Sequence, residues 1–282
     1  MKKYGHLDKI ILGIVVGFWG LFVAYPPIQA HAAIVLVSTT TIAEQSGSQT
    51  TVSSSLSNIS INNLVVCGFR AGSSGNFPTK AADTGSSTWA VVATDTTTGS
   101  NAIAEWYAVV SSTTTPIVIT ATWSGAVSNR DIECAQYSGT ATTNVLDVHS
   151  GNTSGGSTGT QATSTAVTTT GSDVLVVVGS FNAAKVATAN PNYTMEDTLS
   201  TADSWLQDRI SNSILTSEVA SSSWSGGTNT WNELMGAFKA ASSNVSASNA
   251  TSQTMTSLGA GIIQVAANST LQVAQGSNLF VL

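Results

Sequence analysis

Asp131 and Glu133 stand two residues apart in an apolar run that continues to Tyr137. On a strand that spacing puts both carboxyls on one side. Two carboxyls flanking a bond are what glycoside hydrolysis needs, provided that side opens into a cleft; the expectation here is a solvated strand face. Glu196, Asp197 and Asp203 form a second acidic group and read the same way. Asp83, Asp95 and Asp197 fall at expected turns, where calcium takes loop oxygens, but they lack the dense spacing of a calcium loop. His149 is the one histidine after residue 32, with Asp147 and Ser150 beside it. A Ser-His-Asp triad would have to use it, and neighbours on one loop do not reach that geometry. Zinc needs three or four ligands, which one histidine and two distant cysteines do not supply. No catalytic residue, metal or cofactor is therefore assigned.

Cys67 and Cys134 lie in separate expected strands. In an exported chain two cysteines point to one disulfide; in a core they also serve as small hydrophobes. If bridged, their Cα atoms should stand about 4.4–6.8 Å apart. Six tryptophans follow the N-terminal segment. Trp106, Trp123, Trp205 and Trp224 fall in a repeat and read as core. Trp89 and Trp231 have no repeat partner, so they are the better candidates for an exposed platform on which a sugar could stack, although a core role is the first expectation for them too.

The elements that must hold these residues are strands. Short Val-, Ile- and Thr-rich runs alternate with Gly/Ser/Asn/Thr clusters, the pattern of a sandwich or barrel. The runs are Ala33–Ser38, Asn63–Phe69, Trp89–Thr94, Ile103–Val110, Pro116–Trp123, Ile132–Tyr137, Val174–Phe181, Ser204–Ile210, Ile214–Ala220, Trp231–Lys239 and Leu271–Ala274. A repeat runs through them. Leu64-Val65-Val66, Trp106, Trp123-Ser124-Gly125 and Tyr137 are echoed by Leu175-Val176-Val177, Trp205, Trp224-Ser225-Gly226 and Phe238. Two similar halves of about four strands each make an all-β, double-sheet, jelly-roll-like sandwich. Gly139–Gly171 reads as the connector between them.

The N-terminus carries Lys2, Lys3 and Lys9, then the apolar run Ile10–Tyr25, then Pro26-Pro27 and Ala30-His31-Ala32. A charged start, an apolar middle and small residues two apart read as a signal peptide cleaved after Ala32; the alternative is an uncleaved membrane anchor, for which the run falls short of the roughly 20 residues that span a bilayer. The expected organisation is signal helix 1–32, N-terminal strand and leader 33–60, duplicated sandwich 61–240, and linker with a β-like tail 241–282. After cleavage, six basic and fourteen acidic residues remain, which argues against nucleic acid as a partner. No later stretch is long and apolar enough to span a membrane.

The elements Leu64-Val65-Val66, Asp83-Thr84-Gly85 before Trp89, Glu105-Trp106-Tyr107-Ala108, Trp123-Ser124-Gly125 and Gln136-Tyr137-Ser138-Gly139 followed by Leu146-Asp147 resemble a family of secreted bacterial and archaeal β-sandwich domains. The resemblance covers about residues 60 to 240. It implies fold and location and no catalytic residue. The expected function is that of an exported, non-enzymatic structural or adhesive surface or matrix protein. Its partners would be other copies of itself or cell-surface polysaccharide. The apolar strand Ala33–Val37 is either the sandwich's own edge or a strand donated to a neighbour. The alternatives are a carbohydrate-binding module and a jelly-roll glycoside hydrolase or lyase.

Overall fold

The computed structural model describes residues 30–40, 43–72, 75–96, 101–113, 115–154, 158–183, 185–198 and 203–243, with a few short strands up to residue 271. The expected signal segment before residue 30, and most of the tail with its expected Leu271–Ala274 strand, lie outside the described residues. Residues His31–Ser242 form one compact unit. Beyond it, Ala247–Asn249 pairs with Ser269–Leu271, and Ser257–Leu258 with Gly261–Ile262.

After a two-residue strand β1 (Ala30–His31) come β2 (Val35–Thr39), β3 (Ala43–Gln45), β4 (Gln49–Leu56), β5 (Leu64–Ala71), β6 (Pro78–Asp83), β7 (Trp89–Thr96), β8 (Ala102–Val109), β9 (Ile117–Val127) and β10 (Arg130–Ser138). The second set is β11 (Leu146–Thr153), β12 (Gln161–Thr163), β13 (Asp173–Phe181), β14 (Ala187–Ala189), β15 (Thr194–Thr198), β16 (Ser204–Ser211), β17 (Ser221–Trp224) and β18 (Trp231–Lys239). The first set makes a large sheet in the order β2-β10-β5-β8-β7, with β3 continuing the β2 edge along β10, and a small sheet β4-β9-β6. The second set repeats this as β11-β18-β13-β16-β15 and β12-β17-β14. With β2 and β3 counted as one interrupted edge, each set has eight strands. First pairs with last, second with seventh and third with sixth, the wrap of a jelly roll; the fifth strand has moved beside the sixth.

The all-β, two-half sandwich architecture is thus as expected, but each half is a complete sandwich of its own. The reason for the undercount is polarity. Gly139–Gly171, read as a connector, contains β11 and β12, and the leader contains β4. These strands lie on sheet edges and bury few residues, so their apolar signal is weak. His149 accordingly sits exposed on β11 rather than in a loop. Ile214–Ala220 is not a strand: Ile214 is exposed, and Ser217 turns at φ 53°.

Two β-bulges in each set fix the correspondence between them. β10 slips against β2 beside the pair Tyr137↔Leu36, and β18 slips against β11 beside Phe238↔Leu146. β7 slips against β8 after Val91↔Trp106, and β15 against β16 after Met195↔Gln207. Tyr137 therefore corresponds to Phe238, as the repeat suggests. Trp106 corresponds to Gln207 and not to Trp205, a correction of two residues. The reason is an exchange of volume. Phe69 faces Ala104 across the first ladder, while Gly179 faces Trp205 at the same place in the second. Leu64-Val65-Val66 is likewise one residue out of phase with Leu175-Val176-Val177. Leu64 and Val66 face one core and Leu175 and Val177 another, because a single-residue shift changes the face. Trp123 and Trp224 do lie in corresponding strands, each opposite the first residue of the fourth strand.

Each sandwich has its own core. Val52, Leu56, Val65, Phe69, Ile119 and Trp123 fill the first. Leu175, Val177 and Met235, with Phe181 set against Trp205 and edge-on to Trp224, fill the second. A third core lies between the two large sheets, where Leu64, Val66 and Tyr137 meet Val174, Val176, Leu234 and Phe238. The order of layers is small sheet, large sheet, large sheet, small sheet. Cys67 and Cys134 are bonded across the directly opposed pair on β5 and β10. Their Cα atoms are 4.1 Å apart, just under the expected range and in keeping with the close spacing of a non-hydrogen-bonded pair.

Candidate functional site

The polar end of the central interface gathers most of the acids singled out above. β10 and β5 are covered on both faces, because each large sheet packs on its small sheet and on the other large sheet. Asp131 and Glu133 do share a side, but that side is the inter-sheet one, and they are 1% and 2% exposed. The expected solvated face is thereby corrected. In the ladder, Gly68 stands between Glu133 and Glu105, so two buried glutamates flank one glycine. A Cβ on Gly68 would come within 2.9 Å of Glu133 Oε1, and one on Gly236 of the facing sheet within 2.8 Å of Glu105 Oε1. These glycines let the two sheets close over the carboxyls.

Arg70 joins the two sandwiches. Its Nη1 donates to Asp131 Oδ2 at 3.1 Å, and its Nη2 donates to Asp203 Oδ2 at 2.6 Å, across the interface. The same Nη2 reaches Asn101 Oδ1 at 3.2 Å and the Phe181 carbonyl at 3.4 Å. Asn101 Nδ2 also donates to the Phe181 carbonyl, and Asn232 Nδ2 donates to the Asn101 carbonyl. Of these, Arg70, Asn101 and Asp131 come from the first sandwich, and Phe181, Asp203 and Asn232 from the second.

Electrostatically the layer favours protonated carboxyls. Burial pushes Glu105 well above the usual carboxylate range. Burial does the same to Glu133, aided by the charges of Asp131 and Asp197. Asp131 is pushed up to about 6 by burial, against the pull of Arg70. Glu196 rises to about 7 through burial and its neighbour Asp208. Burial and Asp208 also push the Tyr137 hydroxyl up. These groups can share protons and hydrogen bonds between the sandwiches. A pocket of about 260 Å³ does open between Tyr107, Val109, Thr142 and Val145, at the apolar end of the interface, and its lining carries no carboxyl.

The two candidate platform tryptophans pack against the cores, as the core reading has it. Trp231 is 8% exposed and packs with Trp205 and Trp224 in the second core. Trp89 is half-buried against the first core, and its Nε1 donates to Asp83 Oδ2 at 2.7 Å. Asp83 Oδ1 accepts from Ser87 N, so this aspartate braces its own turn. Among the described residues no group of three His, Cys, Asp or Glu side chains is placed to hold a metal ion.

Sequence reasoning missed Glu105, Arg70 and Asn101. One signal was available. Apolar residues occupy both parities of Ile132–Tyr137 and of Ile103–Tyr107, which marks strands buried on both faces, so acids within them are buried as well. Residues recruited from loops, such as Asn101 and Asp203, carry no such signal. Comparison with known proteins adds no further guide: no family model, curated protein or solved structure matches this chain.

Proposed function

We propose that the chain is an exported structural or adhesive protein of a cell surface or extracellular matrix, acting through its outer sheet faces. The observation that supports this reading is the composition of the face that β4-β9-β6 turns to solvent. Its cross-strand rows are Thr51–Thr122–Lys80, Ser53–Thr120–Ala82 and Ser55–Val118. Ser53 Oγ and Thr120 Oγ1 are hydrogen-bonded at 2.8 Å. Ser223, Thr163 and Thr188 continue the theme on β12-β17-β14. Solubility at a charged fraction of only 9% rests on such hydroxyls. A hydroxyl-rich face of this kind suits repeated weak hydrogen bonds to a polysaccharide or to another copy. The strand Val35–Thr39 pairs with β10 of its own sandwich, which favours contact between faces over strand donation.

The test is to image the secreted protein by negative-stain electron microscopy and to sediment it with insoluble cell-wall polysaccharide. Filaments, sheets or co-sedimentation support the proposal, and replacing Ser53, Thr120 and Thr122 with lysine should abolish them. A protein that stays monomeric at high concentration and remains in the supernatant would sink it.

A further inference from the structure

We propose that Lys239 and Asp147 form an intramolecular amide bond, a covalent staple between the first and last strands of the second sandwich. The proposal does not depend on the adhesive reading, since the bond forms or fails whatever the protein contacts.

Asp147 is the extra residue of the bulge that β11 makes against β18, and bulges re-aim a side chain. Lys239 ends β18, and its Nζ lies 3.4 Å from Asp147 Oδ1. Asp173 begins β13 directly opposite Lys239 on the other side of β18. An amine, a carboxyl and a second carboxyl therefore meet on three adjacent strands. Asp173 is fully buried, and neither of its oxygens receives a hydrogen bond from a donor. A charged carboxylate does not persist under those conditions. Burial and the neighbouring Asp147 carboxylate push Asp173 up to about 7. A proton on Asp173, shared toward Asp147, satisfies both groups. Thr170 completes the arrangement: its N–H donates to Asp147 Oδ2 at 2.6 Å, and its hydroxyl donates to Oδ1 at 2.7 Å. As the carbon becomes tetrahedral, the Thr170 donor on the oxygen that stays can hold the developing oxyanion, while the other oxygen is the one that leaves.

The protons balance without any outside reagent. Asp173 passes its proton to the Asp147 carboxylate and takes one from the Lys239 ammonium. The freed amine attacks Asp147 Cγ, and the C–N bond forms. Asp173 then protonates the departing hydroxyl and takes the second proton from nitrogen. The C–O bond breaks, water leaves on the partly exposed lysine side, and Asp173 ends protonated as it began.

The first sandwich has Val37 and Ser138 where the second has Asp147 and Lys239, so it lacks this arrangement. It has the Cys67–Cys134 bond instead, where the second has Val177 opposite Met235. Each sandwich would then carry one covalent link of its own, by different chemistry.

Mass spectrometry of the full secreted chain tests this directly. After reduction, the chain should weigh less than its sequence mass by one water molecule. Trypsin should leave Lys239 uncut and release peptide 131–185 joined to peptide 210–282. K239R and D147A should restore the full mass. D173N should leave the chain unlinked or link it at least tenfold more slowly. A wild-type chain at its full sequence mass, cut at Lys239, overturns the proposal. That reading comes from the wild type, so it holds even if a variant fails to fold.

Discussion

Replacing Glu233 with glutamine should make the protein less sensitive to alkali. Glu233 is fully buried on β18, facing the second core, and its Oε2 accepts a hydrogen bond from Ser222 Oγ at 3.1 Å. Burial pushes it up to about 8, against about 4.3 for an unfolded glutamate. The native chain thus holds a proton that the unfolded chain releases. Its stabilising effect is complete below about 4.3 and is lost as pH rises through the folded value. Between those limits each pH unit costs about 1.4 kcal/mol. From pH 5 to pH 8 that is about 4 kcal/mol, and about half that if the site relaxes or admits water. Glutamine keeps the shape, accepts from Ser222 and does not titrate. Urea unfolding of wild type and E233Q at pH 5, 6.5 and 8 checks this. The two should agree within about 1 kcal/mol at pH 5 and diverge by about 2–4 kcal/mol at pH 8 in favour of E233Q. The other buried acids titrate in both proteins, so they cancel in the difference. Parallel stability curves would show that Glu233 is ionised in the fold, and the reasoning from burial would fail.

Removing the disulfide with the pair C67A and C134A should cost about 4 kcal/mol by loop-closure entropy, read as a lower urea midpoint that reductant treatment of the wild type reproduces. Arg70→Met should cost about 3–5 kcal/mol at pH 7, because it leaves Asp131 and Asp203 without their cation; the loss should shrink at pH 4, below the value of about 6 at which Asp131 takes up a proton. Gly179→Ala should destabilise by about 3 kcal/mol or more, since its Cβ would fall 1.9 Å from Trp205 Cζ2; Gly125→Ala, with nothing within 4 Å, should change thermal stability little. Deleting residues 33–44 should unfold the first sandwich by circular dichroism, because β2 and β3 are the edge of its large sheet.

What was legible in the sequence was what period-two patterning carries. β5, β8, β10, β13, β16 and β18 are apolar on both parities and stand out as strands. β4, β11 and β12 do not, because an edge strand of Ser, Thr and Gly buries every second residue at most. Alternation also placed Asp131 and Glu133 on one side. It could not say what covered that side, since the covering sheet comes from residues 146–239 and no local signal encodes their docking. The repeat was visible through its tryptophans, yet two of these mark non-equivalent positions. A large residue on one strand can be traded for one on its neighbour, as Phe69–Ala104 and Gly179–Trp205 show, and a string comparison sees only that a tryptophan has moved.

The two large sheets meet through corresponding faces, and that has a consequence for either sandwich taken alone. Such a contact buries corresponding positions of both sandwiches against each other, as a pair of copies of one sandwich would. One sandwich without the other would present Leu64, Val66 and Tyr137, or Val174, Val176 and Phe238, to water. It would seek a second copy of itself through that face. The acids beside the apolar patch would ionise in the separated form, so alkali would oppose such pairing and acid would promote it. Joining the copies in one chain makes the encounter intramolecular, which is worth a millimolar effective concentration for a short tether. It also frees the two faces to diverge, so that Arg70 on one could acquire Asp203 on the other.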